Sequence, residues 1–267
     1  MELQGRVEQL ERDGLGLVAI SYDSTDVLAG FARQRGITFP LLSDAGSAVI
    51  KQYGLLNTTV PEGNRAYGVP FSGTFLLDAK GAVTNRFLED AQQERDTVSS
   101  VFVKLGSDTT TPGTNTSAPH LDVTTSVSDA TVAPGTRFSL VLDITPGPHI
   151  HVYAPGVSGY KPIALRLDAQ PPLVVRNAQF PKPEDYFFEP LNEHVAVYQR
   201  RFRIVQDVMF DASPQGEAAL KSVSSVTIAG VLEYQACDDK VCFIPQSVPV
   251  SWTVAVRPLD RERLIRP

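Results

Sequence analysis

A polar segment near the middle of the chain separates two stretches of different hydrophobic periodicity. Residues 105–119 contain almost no large apolar side chain, so burial cannot offset the entropy lost on ordering them. Helix and strand patterns alternate before this segment, whereas β-branched alternation prevails after it. The 267 residues also exceed the roughly 100 to 200 of one domain. We therefore predict domains at 1–104 and 121–257, a linker at 105–120 and a tail at 258–267.

Composition and charge argue against a nucleic-acid partner and against a membrane span. The net charge is -6, and no Lys and Arg cluster is present that could neutralise nucleic-acid phosphates. We therefore expect no nucleic-acid partner. No apolar run reaches the roughly 18 residues that cross a bilayer, so no membrane span is expected. Residues 1–6 are polar and do not resemble a signal peptide.

The first half predicts an α-β-α-β-α-β-β-α order of elements. The clearest helix runs from about Ser24 to Arg35, with Ser24 or Asp23 as its N-cap and Gly36 as its end. The turn at 78–81 predicts a β-hairpin. The remaining elements follow from apolar spacing: a helix through Leu3, Val7 and Leu10, strands at 15–20 and 39–42, a helix at 47–53, and a helix through Val98, Val101, Phe102 and Leu105.

This order, read with the words LVAISYDS, FARQRGITFPLLSDAGSAVIKQYGL and YGVPFSGTFLLDAKGAV, resembles the alkyl hydroperoxide reductase/thiol-specific antioxidant branch of the thioredoxin-like superfamily. The resemblance covers about residues 1–104 and implies an α/β thioredoxin-like domain that lacks its first strand. In that family the missing region carries the catalytic cysteine, and residues 1–104 contain no cysteine. A peroxide-reducing function would therefore need a cysteine upstream of Met1, which we expect if the chain begins late. The alternative is that this domain has become a scaffold whose gap is filled in another way.

The second half predicts an immunoglobulin-like β-sandwich. Many short strands follow one another from residue 120 to about 257, separated by turn signals at 133–135 and 146–148. Trp252 alternates with Val250 and Val254, so we expect its side chain in the core. The fold class is therefore α/β followed by all-β.

The only two cysteines, Cys237 and Cys242, lie five positions apart. On a straight strand they would be about 16 Å apart, whereas a disulfide needs Cα atoms within about 7 Å. The chain must therefore reverse at 238–240, which makes the cysteines partners across a hairpin. Such a bond is either redox-active or an inert clip, because closing a ring of roughly six residues stabilises by only about 2 kcal/mol. A metal site completed by His149 and His151 is a third alternative.

The words YQACDDKVCFIP, PGPHIHVYAPG and FPKPEDYFFEPLNEHVAVYQRRFRI resemble the N-terminal periplasmic domain of DsbD, a membrane thiol:disulfide interchange protein. The resemblance covers about residues 121–257 and implies an immunoglobulin-like sandwich with a catalytic disulfide. It implies electron transfer from a membrane thiol:disulfide transporter to thioredoxin-like partners in the periplasm or another exported location. The site residues that it implies are the pair Cys237 and Cys242, a shielding cap at 184–190 with Tyr186, Phe187 and Phe188, and an aromatic strand with His151 and Tyr153.

Two departures from the better-known members bear on this site. The cysteines here have one residue fewer between them, and His151 stands where an aromatic residue is common. Asp238 and Asp239 disfavour thiolates, with Lys240 offsetting part of their charge, so the pair suits attack by the thiolate of a partner. Tyr186, Phe187 and Phe188 are consecutive, so at least one should be exposed or form a lid; filling the sandwich edge is the alternative.

The expected function is thiol:disulfide exchange through the cysteine pair, without a metal or cofactor. Two alternatives stay open at this point. One is a non-catalytic interaction module with a structural disulfide, and the other is the peroxide-reducing protein described above.

Overall fold

The computed structural model describes residues 3–64, 67–88, 95–109, 111–188 and 192–258 of the chain. The chain divides into two compact units, Met1–Val98 and Ser99–Pro267. The first unit contains short helices and two pairs of strands. The second is built almost entirely from strands. The predicted tail at 258–267 lies, beyond its first residue, outside the described residues.

The first unit has the alternation of helices and strands that the sequence predicts. Ser24 caps the second helix by accepting a hydrogen bond from the Val27 backbone, and Gly36 ends it in the left-handed conformation. After a 3₁₀ turn at Gln4–Arg6, the elements are α1 Val7–Arg12, β1 Ala19–Ser21, α2 Thr25–Arg35, β2 Leu41–Ser43, α3 Ala48–Gln52, β3 Gly73–Leu77, β4 Val83–Leu88 and β5 Arg95–Asp96.

The strands of this unit do not join into one sheet. Strands β1 and β2 pair in parallel, with Ile20 opposite Leu42, and β3 and β4 form a separate antiparallel hairpin. Ile20 is 44% exposed and Leu42 48% exposed, so one apolar face of the parallel pair is open to solvent.

In the part of the second unit that the structure describes, the strands form three sheets and are accompanied by two helices. The sheet orders are β12-β15-β9-β7-β6, β11-β16-β18-β8 and β13-β14-β10-β17. The elements are α4 Val98–Lys104, β6 Thr114–Ala118, β7 Leu121–Val127, β8 Thr131–Val132, β9 Thr136–Pro146, β10 His151–Tyr153, β11 Ala164–Leu167, β12 Leu173–Gln179, β13 Glu184–Phe188, β14 Glu193–Tyr198, β15 Phe202–Phe210, α5 Pro214–Leu220, β16 Ser225–Tyr234, β17 Ala236–Cys237 and β18 Gln246–Val256.

The first two of these sheets share one apolar core, as in a β-sandwich. Leu142 and Ile204 from one sheet lie in the same buried cluster as Ile228 and Leu232 from the other. Trp252 is buried in this cluster, and its Nε1 donates a hydrogen bond to the Val141 carbonyl at 3.1 Å. The predicted sandwich and the predicted core position of Trp252 are therefore confirmed.

Part of the predicted linker is a strand. Residues 114–118 form β6, which pairs with β7 from Thr114 opposite Thr125 to Ala118 opposite Leu121. A tight turn through His120, at a φ of 66°, connects the two strands. The small polar side chains of β6 gave no sign of burial, but an edge strand is held by backbone hydrogen bonds that need none.

Helix α4 also differs from expectation, because it lies on the sandwich. Val103 is buried in a cluster with Val141 and Val205. The Lys104 ammonium contacts the Asp207 carboxylate at 2.8 Å, with both side chains 7% exposed. The sequence had assigned this helix to the end of the first domain, since its apolar spacing does not reveal which core it covers.

Candidate redox site

The two cysteines form a disulfide that closes a short hairpin after β17. The S–S distance is 2.10 Å and the Cα atoms are 4.0 Å apart. The Asp238 carboxylate accepts hydrogen bonds from the backbone of Lys240 and Val241, each at 2.8 Å, and this fixes the turn between the cysteines. The chain reversal predicted from their spacing is therefore present.

The two halves of the disulfide have different environments. Cys237 is 1% exposed, because β17 runs beside β10 within a buried cluster. Cys242 lies on the outer arm of the hairpin and is exposed. Its neighbours Val241 and Ile244 are exposed as well, Ile244 at 81%. An incoming thiol can therefore reach Cys242, whereas Cys237 faces the protein interior.

Strand β10 supplies two side chains to the buried side of the disulfide. His151 and Tyr153 lie on one face of the strand, and His151 is directly opposite Cys237 in the antiparallel register. The Tyr153 hydroxyl lies 3.5 Å from the Cys242 Sγ. The hydroxyl is the donor, since a disulfide sulfur carries no proton. Burial, followed by the nearby Tyr160, raises the pKa of Tyr153, so its proton stays on the oxygen.

Tyr160 and Glu193 complete the support of Tyr153. The rings of Tyr153 and Tyr160 stack with centroids 4.1 Å apart. The Tyr160 hydroxyl donates a hydrogen bond to the Glu193 carboxylate, which raises the pKa of Tyr160. Sequence reasoning missed both residues. No local pattern marks them, because Tyr160 lies in a loop and Glu193 begins a strand 33 positions later.

His151 is 3% exposed and is enclosed by aromatic rings. The Tyr153 ring meets it edge-on at 5.4 Å, and the Tyr186 ring lies 4.6 Å away. Burial lowers the pKa of His151, and the negative charges of Asp239 and Asp238 oppose this effect. The imidazole is therefore mainly neutral at neutral pH.

Tyr186 connects strand β13 to the hairpin that Cys237 and Cys242 close, the cysteine hairpin. Its hydroxyl donates a hydrogen bond to the Asp239 carboxylate at 3.0 Å, and burial raises its pKa. Phe188 lies on the same face, with its ring 6.4 Å from that of Tyr186. Phe187 points to the other face and is exposed, with its ring against His194. The three consecutive aromatic residues thus alternate between faces, as the sequence predicts.

The predicted cap segment is an edge strand and not a loop. Residues 184–188 pair with β14 in unbroken antiparallel register, whereas Glu189 and Pro190 of the predicted segment lie outside the described residues. The β-branched and aromatic composition of this stretch and its partner favours a strand. Tyr186 is the cap residue that reaches the hairpin, and a shielding role for the segment stays a prediction.

The hairpin carries a fixed negative charge beside Cys237. The backbone hydrogen bonds from Val241 and Lys240 lower the pKa of Asp238, so its carboxylate stays ionised. Asp239 adds a second carboxylate, which lies 4.0 Å from the His149 ring nitrogen at the surface. Both charges disfavour a thiolate in the hairpin.

The two histidines considered as metal ligands are separated. His149 precedes β10, its φ is 62° and its side chain is exposed. It therefore does not follow the extended-strand pattern that would place its side chain on the same face as that of His151. Within the described ranges, no three His, Cys, Asp or Glu side chains are grouped to hold a metal ion. In the same part of the chain, no helix is long and apolar enough to cross a membrane.

Two known families match separate parts of the chain. Residues 1–86 match the AhpC/TSA family, and residues 121–251 match the N-terminal domain of thiol:disulfide interchange protein DsbD. The cysteine hairpin and the aromatic strands around it all lie in the second match. The first match falls on the cysteine-free half.

Individual relatives with a peroxiredoxin name match about a quarter of the chain. A Mycobacterium tuberculosis protein provisionally named a peroxiredoxin is 37% identical over 70 residues, which are 26% of this chain and 44% of that protein. A Coxiella burnetii protein of the same provisional name is 32% identical over 76 residues, 28% of this chain and 50% of that protein. The chain thus spans about half the length of these relatives or less.

Solved structures similar to this chain include two N-terminal domains of low sequence identity. The N-terminal periplasmic domain of ScsB from Proteus mirabilis has a TM-score of 0.36 and 13% identity, covering 52% of this chain and 49% of that one. The reduced DsbD N-terminal domain of Neisseria meningitidis has a TM-score of 0.30 and 15% identity. The match covers 44% of this chain and 81% of that one. Both family matches support thiol–disulfide redox chemistry. By these matches and its fold, the chain joins two parts: a thioredoxin-like segment similar to the AhpC/TSA family, and an immunoglobulin-like sandwich similar to the DsbD N-terminal domain.

Proposed function

We propose that this protein performs thiol:disulfide exchange through Cys237 and Cys242 with a thioredoxin-like partner. The observation that carries this proposal is the asymmetry of the disulfide. One cysteine is exposed at the surface of a hairpin and the other is 1% exposed behind it. An inert clip needs no such difference, whereas exchange requires that one sulfur be reachable and that the other be able to leave.

The reaction has two steps with balanced electrons. A partner thiolate attacks the Cys242 Sγ, the S–S bond breaks, and its electron pair moves to the Cys237 Sγ. A mixed disulfide between the partner and Cys242 results. A second partner thiol then attacks the partner sulfur of that bond and releases Cys242, so this protein is reduced by two electrons and the partner becomes a disulfide. The reverse sequence passes the electrons on.

The surrounding side chains fit this reaction as supporting groups. Tyr153 directs its hydroxyl at the Cys242 Sγ, the sulfur that changes partners. Tyr186 and Phe188 lie on the face of β13 that bears on the hairpin. With His151, these rings cover the Cys237 side of the disulfide, and Cys242 stays exposed although the Tyr153 hydroxyl contacts its Sγ. Phe187 does not take part in this shield, because it lies on the opposite face.

The physiological partners follow from the resemblance to DsbD. We propose a thioredoxin-like protein on one side of the exchange and a membrane thiol:disulfide transporter on the other. The compartment would be the periplasm or another exported location, where a disulfide persists. Peroxide reduction is not proposed for the residues present, because residues 1–104 contain no cysteine.

The reduction potential of the pair tests the proposal. It is measured by equilibrating the full chain with glutathione or dithiothreitol redox buffers. We expect a value above about -300 mV, in the range of pairs that exchange with thioredoxin-like proteins. A value well below about -300 mV would mark a structural bond and contradict the proposal.

Trapping of the mixed disulfide is a second test. In Cys237→Ser the exposed Cys242 thiol remains, and we expect it to form a stable mixed disulfide with a thioredoxin variant that lacks its resolving cysteine and whose remaining cysteine is activated as the thionitrobenzoate disulfide, because thionitrobenzoate then leaves and no second thiol reverses the bond. In Cys242→Ser only the buried Cys237 remains, so this matched variant should form at least tenfold less of the mixed disulfide. Equal trapping by the two variants would show that burial does not decide which sulfur is attacked.

A further inference from the structure

When a thiolate attacks Cys242 and breaks the disulfide, a negative charge develops on the buried Cys237 sulfur. The electron pair of the broken bond goes to the Cys237 Sγ, which is buried beside β10. The next residue is Asp238, whose carboxylate is kept ionised by two backbone hydrogen bonds. Burial and this like charge both destabilise a thiolate. The leaving sulfur therefore needs a proton donor close to it.

His151 lies where such a donor is needed. It is directly opposite Cys237 in the register of β10 and β17, so the two side chains share a face. The Cβ atoms of such a pair are about 4.5–5.5 Å apart. The imidazole is 3% exposed, and the rings of Tyr153 and Tyr186 confine it. Water therefore has little access to Cys237 from this side.

We infer that His151 is the proton donor to the Cys237 Sγ during thiol:disulfide exchange, and this inference rests on the proposed function. As the partner thiolate bonds to the Cys242 Sγ and the S–S bond breaks, the imidazolium of His151 transfers its proton to the Cys237 Sγ. The products are a mixed disulfide, a neutral Cys237 thiol and a neutral imidazole, which solvent protonates again. In the reverse direction the neutral imidazole removes the Cys237 proton as that sulfur attacks the mixed disulfide.

The groups that face His151 set the pH dependence of this step. Tyr153 faces it from its own strand, Tyr186 from β13, and Asp238 and Asp239 from the hairpin. Cys237, the proton acceptor, faces it from β17. Burial lowers the pKa of His151 despite the two carboxylates. The imidazolium fraction, and with it the rate of reduction per attacking thiolate, should therefore rise as the pH falls below about 6.5.

The test is the pH profile of reduction of the full chain by dithiothreitol. Samples are quenched with an alkylating reagent, and the rate at each pH is divided by the concentration of dithiothreitol thiolate. For the natural sequence we expect this normalised rate to rise toward acid by about a hundredfold, the lower end of general acid catalysis. In His151→Phe, which keeps a ring between the tyrosines, the normalised rate should be low and independent of pH.

Two further variants separate the proton from the packing. His151→Gln keeps an N–H donor that does not titrate, so its profile should be flat at a rate between those of the other two proteins. His194→Gln changes an exposed histidine of the same sheet, paired with Asp185, and should keep the natural profile. Circular dichroism checks that each variant folds; if His151→Phe does not, His151→Gln decides.

The inference is overturned by a flat profile in the natural sequence or by an unchanged profile in His151→Gln. These outcomes are distinct from failure of the proposed function, because dithiothreitol needs no docking surface. A structural potential or the absence of mixed disulfides with thioredoxin would reject the function and leave the pH profile as measured.

Discussion

The two units of this protein differ in how completely they bury their apolar residues. In the sandwich, strands from two sheets enclose side chains such as Leu142, Ile204 and Ile228, which have no solvent exposure. In the first unit, the strands expose Ile20 and Leu42. The cysteine pair lies in the well-buried unit, whereas the unit that matches the AhpC/TSA family has no cysteine. Resemblance to a redox family and the means to perform redox chemistry are therefore separate properties here.

The sharpest test of this comparison is a matched pair of core truncations. Leu142→Ala in the sandwich should lower its free energy of unfolding by about 4 kcal/mol, because a fully buried leucine leaves a cavity in a tight core. Leu28→Ala in α2 should lower that of the first unit by about 2 kcal/mol, the low end for such changes. Urea unfolding measures both, with Trp252 fluorescence reporting the sandwich and circular dichroism reporting the helices. An equal or larger loss in Leu28→Ala would contradict the comparison.

The Lys104–Asp207 pair tests where one unit ends and the other begins. We propose that α4 and β6 belong to the sandwich domain. Lys104→Met leaves the buried Asp207 carboxylate without its counter-ion, and the sandwich should lose about 3 kcal/mol. Glu184→Gln is the matched control, because its partner Arg200 is exposed and such pairs contribute below about 1 kcal/mol. If Lys104→Met leaves the Trp252 transition unchanged, α4 does not belong to the sandwich.

Reduction of the disulfide should affect the sandwich less than either change above. The ring spans roughly six residues, so its loss should lower the free energy of unfolding by about 2 kcal/mol. Urea unfolding with and without excess dithiothreitol measures this difference. The reduced sandwich should remain folded without urea. Unfolding on reduction alone would indicate that the bond is primarily structural.

The smallest expected effect is the pH dependence that His151 gives to stability. Its pKa in the folded protein lies below the ordinary value of 6.5, so the unfolded chain binds the proton more tightly. Stability should therefore fall as the pH falls from about 6.5 toward the folded pKa, and should not change with this group above that window. His151→Phe should reduce this acid loss, as measured by urea unfolding at pH 5 to 8. An identical acid loss in the variant would show that other groups cause it.

Local signals predicted the elements that neighbouring residues determine. The N-cap residue Ser24 and the helix-ending Gly36 allowed the bounds of α2 to be predicted. The turn-prone residues at 238–240, together with the length limit of a disulfide, gave the hairpin. Each of these features depends on side chains within a few positions of one another, so the sequence alone contains the reason for them.

Contacts between distant strands were not predictable in the same way. The hydrogen bonds from Tyr160 to Glu193 and from Tyr186 to Asp239 join residues 33 and 53 positions apart, and only the sheet order brings them together. Strand β6 was assigned to a linker because pairing at a sheet edge leaves no mark in hydrophobicity. The departure of His149 from the strand pattern depends on one backbone angle, which residue type does not specify.

The turn at Asp238 determines what the hairpin does after its sulfur bond opens. The Asp238 carboxylate holds the Lys240 and Val241 amides, and the Asp238 amide itself bonds to the Val241 carbonyl at 3.0 Å. None of these hydrogen bonds uses a sulfur atom. The loop is therefore expected to keep its conformation in both oxidation states. Its ordering entropy is then lost once, on folding, and not again each time the disulfide opens and re-forms. Each exchange with a partner would then start from a hairpin that already has its final conformation.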